Sequence, residues 1–338
     1  MKAAVVVGAD QIEISEVPLP EVPEGWALIR TEFTGLCGTD FSILHGTHPR
    51  ATFPLIMGHE ISGVVVRAGD GGPEVGARIV AEPLISCGLC RACRSGNTHV
   101  CEQLGLYGID TPGSLAEFVA LPASTLIEVD ASAPREQVAL IEPLAVAVHA
   151  VERSGLRGGE SVALFGAGPI GVLTALVAQH RGAASVVIVE PSAERRAVAE
   201  RLGLATIPPE LDAVGEIVRR TGGAGADIVF DTAAHPSVAP LLAASARVLG
   251  TIVLVGVYKK PAEMDLQRIT FSENTVVGTR VYTREDMEAA ASLVEQDVLG
   301  LGRLPVSVYP LEQAAEAFSE ATSAGAALKV LVSSESSA

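Results

Sequence analysis

Four cysteines lie close together in the loop ISCGLCRACRSGNTHVC and indicate a metal site. Cys87, Cys90, Cys93 and Cys101 follow the spacing C-x2-C-x2-C-x7-C. Four thiolates this close in sequence can complete a tetrahedron around Zn²⁺ and leave no position open, which is typical of a structural site. An iron–sulfur cluster is also held by four cysteines. The spacing therefore predicts a structural zinc site, with an iron–sulfur cluster as the alternative.

A second set of metal-ligating residue types is spread over a longer stretch. Cys37 stands in TGLCGTD, His59 and Glu60 in GHE, and Glu142 in LIEPLAVAVHA. A thiolate, an imidazole and a carboxylate can hold Zn²⁺ and leave a fourth position for water or a substrate oxygen. Residue types alone do not decide this, because a single buried cysteine is more often a small apolar residue.

Three glycines predict a dinucleotide site. Gly166, Gly168 and Gly171 have the spacing G-x-G-x-x-G, after the apolar run 162–165 and before an apolar helical stretch over 170–179. The first glycine allows a tight turn, the second lets the backbone approach a pyrophosphate, and the third lets the helix pack closely on the strand. The start of the helix offers free N–H groups to phosphates. The alternative is a purely structural strand–turn–helix unit.

Glu190 predicts which cofactor is bound. It ends the next apolar run, 186–189, and lies 24 residues after Gly166. A carboxylate there can accept hydrogen bonds from a ribose diol but repels a 2′-phosphate. Arg195 and Arg196 follow on the next predicted helix, where we interpret them as adenine-side or solvated residues. NAD is therefore favoured over NADP.

The elements around these residues divide the chain into two kinds of structure. Residues 1 to about 145 alternate short β-rich pieces with Gly/Pro-rich connectors, which predicts a partly open β-barrel. From residue 161, strands predicted at 162–165, 186–189, 227–231, 251–255 and 275–278 alternate with helices. That alternation predicts a doubly wound parallel sheet, so the fold class is α/β with two domains.

Composition excludes several classes of function. The chain has 338 residues, 48% of them hydrophobic, and a formal net charge of −16, which argues against nucleic acid or an anionic membrane as partner. The N-terminal stretch does not resemble a signal peptide, and no run approaches the length of a membrane span. The five cysteines are an odd number and favour metal or catalytic use over disulfides. We expect a cytoplasmic protein.

Five motifs occur in the order found in zinc-dependent medium-chain alcohol dehydrogenases. They are Cys37-Gly38-Thr39-Asp40, Gly58-His59-Glu60, the four-cysteine loop, Glu142-Pro143-Leu144, and Gly166–Gly171. The resemblance covers essentially the whole chain. It points to the polyol, butanediol and threonine dehydrogenase branch, because Glu142 stands where other members have a cysteine ligand. It implies a GroES-like catalytic domain over 1–147 with a structural-zinc lobe at about 86–102, a Rossmann NAD-binding domain over 148–280, and a return to the catalytic domain over 281–338.

The resemblance also implies roles for the metal-ligating set. The catalytic zinc ligands are Cys37, His59 and either Glu60 or Glu142, and the choice between the two carboxylates stays open. Thr39 matches the hydroxyl that accepts the alcohol proton. The histidine that continues the proton relay in many relatives is replaced by Ser42. The relay then runs through Ser42 and water, through His45, or through the ribose alone.

The implied cofactors are two zinc ions per chain, one catalytic and one structural, and NAD. The cofactor-binding residues implied are Gly166, Gly168, Pro169, Ile170, Gly171, Glu190, Arg195, Val255, Gly256, Val257, Val281 and Tyr282. His48, His99, His149, His180 and His235 are expected in the surface or the core.

The predicted reaction is NAD-dependent oxidation of a secondary alcohol, diol, polyol or sugar-like alcohol to its ketone. The alternatives are a threonine-type amino-alcohol dehydrogenase and a non-catalytic NAD-binding redox sensor. A sensor would have no need for the complete set of Cys37, Thr39, His59 and Glu142. The expected partners are the small-molecule alcohol or ketone and further copies of the chain, in a homodimer or homotetramer.

Overall fold

The computed structural model describes residues 1–208, 210–323 and 327–334 and divides into two compact units. Unit 1 comprises Met1–Glu142, Thr283–Asp297 and the described residues of Pro305–Ala338. Unit 2 comprises Pro143–Tyr282 and Val298–Leu304. None of the helices in the described ranges combines the length and the apolar character that a membrane span requires.

The strands and α-helices of the described residues have the following bounds. The described strands are β1 (Lys2–Gly8), β2 (Gln11–Glu16), β3 (Trp26–Gly35), β4 (Leu55–Ile56), β5 (Glu60–Arg67), β6 (Arg78–Ala81), β7 (Leu84–Ile85), β8 (Gly105–Leu106), β9 (Phe118–Pro122), β10 (Leu126–Glu128), β11 (Ser161–Phe165), β12 (Ser185–Val189), β13 (Ala205–Ile207), β14 (Ala226–Asp231), β15 (Ala246–Leu254), β16 (Thr275–Gly278), β17 (Val306–Pro310) and β18 (Lys329–Ser333). The described α-helices are α1 (Gly38–Leu44), α2 (Arg91–Arg94), α3 (Arg135–Val138), α4 (Ile141–Ser154), α5 (Pro169–His180), α6 (Ala193–Arg201), α7 (Ala213–Arg220), α8 (Ala239–Ser245), α9 (Leu266–Phe271), α10 (Arg284–Glu295) and α11 (Ala314–Thr322).

The sheet of unit 2 is parallel and doubly wound, as predicted. Its described strands have the order β13-β12-β11-β14-β15-β16, and all their pairings are parallel. The strand order reverses between β11 and β14. In such sheets, ligands bind outside the carboxyl ends of the strands at this reversal point. Gly166 directly follows β11, Glu190 follows β12, and Thr232 follows β14.

Strand β15 is longer than the sequence predicted. It begins at Ala246 and not at residue 251, because Ala246 already pairs with Ala226 before an irregularity in the register. Val248 and Leu249 are 62% and 60% exposed, so this part of the strand lacks the continuous apolar burial on which the prediction relied.

Strand β3 is the centre of the main sheet of unit 1. It pairs antiparallel with β5, β9 and β18. Its apolar residues Ala27 and Ile29 are fully buried and pack in one cluster with Ile61 and Leu121. This sheet brings together three positions distant in sequence: the end of β3, before Cys37, and the starts of β5 and β18.

Candidate functional site

Cys37, His59 and Glu60 come together in unit 1. Their potential ligand atoms, the Cys37 Sγ, an imidazole nitrogen and a carboxylate oxygen, all lie within 4.8 Å of one another. His59 and Glu60 are buried, while Cys37 is partly exposed. A thiolate, an imidazole and a carboxylate at this separation have the chemistry and the spacing that a Zn²⁺ ion requires, and the partly exposed thiol leaves one side open.

Asp40 supports two of these residues, a role that residue types alone did not indicate. It is fully buried, and its Oδ2 accepts a hydrogen bond from the Cys37 backbone N–H at 2.9 Å. Its Oδ1 lies 3.4 Å from the His59 Nδ1. Burial opposes a charge on His59, but Asp40 and Cys37 hold the pKa of this imidazole well above its usual value. A carboxylate at Nδ1 orients a histidine whose Nε2 faces a metal.

Lys329 is the second supporting residue that sequence reasoning missed. Its buried Nζ lies 2.5 Å from both Glu60 carboxylate oxygens and donates to the Leu36 carbonyl at 2.8 Å. Burial opposes its charge, yet Glu60 and Cys37 raise the pKa of the ammonium above its usual value. Gly35 makes room for the pair, because a Cβ there would lie 1.9 Å from the Glu60 Oε2. A lysine inside the apolar run of β18 was the available signal.

Glu142, the other carboxylate of the predicted set, lies at the start of α4 and is buried. It is not part of the group of ligand atoms that Cys37, His59 and Glu60 form. Its charge contributes to the raised pKa of Lys329, after the larger effects of Glu60 and Cys37.

The residues of the predicted proton relay lie on and after α1. The Thr39 Oγ1 lies 3.9 Å from the Cys37 Sγ, so a hydroxyl stands beside the candidate metal centre. Ser42 is in the same helix. His45 follows the helix, and its Nδ1 lies 2.6 Å from the Asp10 carboxylate, with both side chains more than half exposed to solvent.

The four cysteines of the loop form a compact group of free thiols. The Sγ–Sγ distances are 4.0 Å between Cys87 and Cys93, 3.4 Å between Cys90 and Cys93, and 4.0 Å between Cys90 and Cys101. Ligands at a Zn–S bond length of about 2.3 Å stand about 3.8 Å apart on a tetrahedron. The four sulfur atoms therefore fit a single tetrahedral ion.

Backbone N–H groups favour thiolates at two of the four cysteines, whereas burial raises the pKa of Cys93 to about 12. The N–H groups of Cys93 and Glu102 lower the pKa of Cys90 to about 6, and those of Leu89 and Cys90 lower the pKa of Cys87. Hydrogen bonds to sulfur stabilise the deprotonated form, which is the form that binds metal.

The glycine loop of unit 2 has the close contacts that its spacing predicts. Gly166 has φ 105°, in the left-handed region. A Cβ on Gly171 would lie 2.0 Å from the Gly166 carbonyl oxygen, so α5 approaches the loop at glycine distance. The Thr232 hydroxyl after β14 donates to the Phe165 carbonyl at 2.9 Å and joins the loop to the neighbouring strand end.

Glu190 lies at the end of β12 and is tied to the glycine loop. Its buried carboxylate accepts hydrogen bonds from the Ala167 N–H at 2.6 Å and from the Ser192 N–H at 2.8 Å. The Arg196 Nη1 donates to the Glu190 carbonyl at 2.9 Å, while the backbone N–H of Arg195 donates to the Ser192 Oγ. The Arg196 guanidinium therefore lies at Glu190, whereas Arg195 is connected to it only through Ser192.

The segment after β15 is fixed to the end of β14. The N–H groups of Val255 and Gly256 both donate to the Asp231 carbonyl at 2.9 Å, and the Tyr258 hydroxyl donates to the Asp231 carboxylate at 2.6 Å. Between these anchored positions, Val257 is 86% exposed.

Val281 and Tyr282 are the last two residues predicted to bind the cofactor. Val281 has φ 44°, which is strained for a β-branched residue. Tyr282 is fully buried.

Comparisons with known proteins identify the family. A family described as alcohol dehydrogenase GroES-like domain matches residues 23–131, and one described as zinc-binding dehydrogenase matches residues 169–296. A 2-dehydro-3-deoxy-L-galactonate 5-dehydrogenase of Pseudoalteromonas atlantica is 36% identical over 98% of both chains. The chain belongs to the zinc-type medium-chain dehydrogenases. The predicted family and the two-domain fold, GroES-like and Rossmann, are thereby confirmed.

Other medium-chain dehydrogenases have the same fold over their whole length. The crystal structure of 2R,3R-butanediol dehydrogenase from Bacillus subtilis has a TM-score of 0.91, 31% identity and 99% coverage of both chains. A protein of Sinorhizobium meliloti described as a zinc-binding dehydrogenase and bound to NADP has a TM-score of 0.92, 32% identity and 98% coverage of both chains. An L-threonine 3-dehydrogenase of Pyrococcus abyssi is 37% identical over 82% of this chain and 81% of its own. The chain is thus an oxidoreductase that uses zinc and a nicotinamide cofactor.

Proposed function

We propose that this dehydrogenase oxidises a secondary alcohol group of a diol, polyol or sugar-like alcohol to a ketone, with NAD as the hydride acceptor. The observation that carries the proposal is the group of Cys37, His59 and Glu60, whose ligand atoms lie within 4.8 Å of one another. The names of the relatives support the substrate class, since one acts on a deoxygalactonate and another on butanediol.

The catalytic zinc is held by Cys37, His59 and Glu60 in this proposal, with Glu142 nearby but outside the ligand set. Bound there, zinc would supply a Lewis acid that lowers the pKa of an alcohol or polarises a carbonyl. Asp40 orients His59, and Lys329 balances the charge of Glu60. Thr39, whose hydroxyl lies beside Cys37, accepts the proton of the substrate hydroxyl and passes its own proton on, through Ser42 and water, through His45 or through the ribose. The second zinc is held by Cys87, Cys90, Cys93 and Cys101.

The proposed cofactor is NAD, which accepts the hydride when bound. Gly166, Gly168, Pro169, Ile170 and Gly171 would contact the pyrophosphate at the start of α5. Glu190 would accept hydrogen bonds from the ribose diol, with Arg195 on the adenine side. Val255, Gly256, Val257, Val281 and Tyr282 would line the nicotinamide. The carboxylate of Glu190 at the end of β12 supports NAD over NADP, because its negative charge would repel a 2′-phosphate bound there.

The domain roles, the assembly and the compartment complete the proposal. Unit 1 is the catalytic domain and unit 2 the NAD-binding domain, close to the boundaries 1–147, 148–280 and 281–338.

The protein forms a homodimer or homotetramer, because β16 is an edge strand with Val276 42% exposed, and the adjoining α9 exposes Leu266 at 70% and Phe271 at 79%. Light scattering should give a mass of two or four chains. Free thiols support the cytoplasm as the compartment.

A substrate screen tests the proposed function. Secondary alcohols, diols, polyols and L-threonine are offered with NAD and, separately, with NADP, and the nicotinamide absorbance is followed. The proposal expects turnover with a diol or polyol and NAD. Turnover with L-threonine alone would support the amino-alcohol alternative, which the threonine dehydrogenase relative favours. Tight NAD binding without turnover of any alcohol would support the redox sensor.

Two serine substitutions separate the proposed zinc sites. Cys87→Ser should release one zinc and lower the melting temperature, because a structural zinc contributes folding free energy. Cys37→Ser should also release one zinc, but it should abolish turnover with a smaller change in melting temperature. Metal analysis, calorimetry and activity are measured on both variants. Unchanged zinc content and stability in Cys87→Ser would show that the loop does not depend on metal.

A further inference from the structure

The segment 45–54 joins two elements of the proposed zinc site. It follows α1, which begins directly after Cys37, and leads to β4, three residues before His59. The backbone N–H groups of Thr47 and His48 both donate to the Ser42 carbonyl, at 2.9 and 3.0 Å. These bonds fold the segment back on α1 and bring His48 next to Ser42.

His48 presents one ring nitrogen as a hydrogen-bond donor. Its Nδ1 accepts from the N–H groups of Arg50 and Ala51, at 3.4 and 3.3 Å, so the hydrogen of the neutral ring is on Nε2. Burial lowers the pKa of His48, and the charge of Arg50 lowers it further, which keeps the ring neutral at pH 7. The His48 N–H donates to the Ser42 carbonyl of α1, the helix that begins directly after the proposed zinc ligand Cys37. Among the described residues, Nε2 has no hydrogen-bond partner.

Arg50 and Asp110 provide further donors and an acceptor. The Arg50 Nη2 lies 3.3 Å from the Asp110 Oδ2, and the Arg50 Nη1 donates to the Leu104 carbonyl. The arginine side chain is 40% exposed and that of Asp110 27% exposed, so both reach solvent. Their charges are opposite in sign and compensate each other, so the pair as a whole offers little net attraction to an anion.

The segment that carries Asp110 also contacts the proposed zinc site. The Ser114 N–H donates to the Gly58 carbonyl at 3.0 Å, directly before His59. A Cβ on Gly108 would lie 2.5 Å from the same carbonyl oxygen. The Arg50–Asp110 pair therefore connects two segments that both adjoin the zinc ligand His59.

We propose that His48, Arg50 and Asp110 bind hydroxyl groups of the substrate at carbons distant from the one that is oxidised. A hydroxyl both donates and accepts, and this group offers an imidazole N–H, guanidinium N–H groups and a carboxylate oxygen. Because the charges of Arg50 and Asp110 cancel, the group suits a neutral chain of hydroxyls better than a carboxylate. The inference rests on the proposed function and selects a pentitol or hexitol over butanediol as the preferred class.

The test is the ratio of kcat/KM for a hexitol to kcat/KM for 2,3-butanediol. His48→Leu should lower this ratio about three- to tenfold, the effect of one lost neutral hydrogen bond. The loss should appear mainly as a higher KM for the hexitol, since the bond is equally strong before and during the reaction. His180→Leu is the control and should leave the ratio unchanged, because that ring is exposed at the end of α5.

Asp110→Asn is a second variant, and its readout is the relative use of an aldonate, which a change in packing alone would not alter. It keeps an acceptor oxygen but leaves the charge of Arg50 uncompensated, so the relative use of an aldonate should rise. Equal effects of His48→Leu on both alcohols, or a wild-type preference for butanediol or for an aldonate over every hexitol, would overturn the subsite. Turnover of none of these compounds would instead reject the proposed function, and the subsite with it.

Discussion

Lys329→Met is expected to lower the free energy of unfolding by about 3–5 kcal/mol, the usual effect of removing one partner of a buried ion pair. The side chains of Lys329 and Glu60 are 6% and 2% exposed, so the remaining carboxylate could not regain water. The Leu36 carbonyl would also lose its donor. Urea unfolding of the protein after removal of the catalytic zinc measures the difference, because a bound zinc ion would itself compensate the Glu60 carboxylate.

Lys2→Met is the matched control for this substitution. Lys2 also pairs with a glutamate, Glu312, at 2.7 Å, but the two side chains are 42% and 46% exposed. Exposed pairs of this kind contribute about 0–1 kcal/mol. Equal losses in the two variants would contradict the view that the buried ammonium stabilises Glu60.

Glu190→Ser should weaken NAD binding and relieve the penalty against NADP. Charge-assisted hydrogen bonds contribute about 1.5–3 kcal/mol, which corresponds to roughly ten- to a hundredfold in affinity. Serine is too short to accept from both the Ala167 and the Ser192 N–H, so the variant also loosens the glycine loop. An added phosphate would then meet no carboxylate there, while the guanidinium of Arg196 lies at the Glu190 and Pro191 carbonyls and Arg195 is on the same helix. The measurement is kcat/KM for both cofactors at one fixed alcohol concentration.

Glu194→Ser removes an exposed carboxylate from the same helix start and serves as the control. It should leave the ratio of NAD to NADP use unchanged. If the wild type already prefers NADP, or if Glu190→Ser leaves the ratio unchanged, then Glu190 does not face the ribose.

The parts of this fold that depend on residues close in sequence were predicted correctly. The apolar runs and the glycine spacing predicted the doubly wound sheet, because a buried parallel strand and a close turn each require particular residue types in a fixed order. The grouping of the four loop cysteines could be predicted for the same reason, since these residues are close in sequence and come together in space.

Long-range pairings were harder to predict. Lys329 and Glu60 meet because β18 and β5 flank the same residue of β3, Gly35, and a pairing over such a distance leaves only a lone charge in an apolar strand as its signal. His48 was assigned to the surface or the core because its place depends on backbone bonds to Ser42. The choice between Glu60 and Glu142 depends on distances that residue types do not contain.

Removal and return of the exchangeable zinc shows whether a metal ion at Cys37, His59 and Glu60 is needed for turnover. The rate of NADH formation from the best alcohol of the screen is measured before chelation, after chelation, and after one equivalent of zinc is returned. A Lewis acid contributes several kcal/mol to such a reaction, so the rate should fall at least about a hundredfold in a chain that remains folded, and zinc should restore it. Undiminished NADH formation by a chain that has lost its exchangeable zinc would contradict a catalytic role for this metal ion.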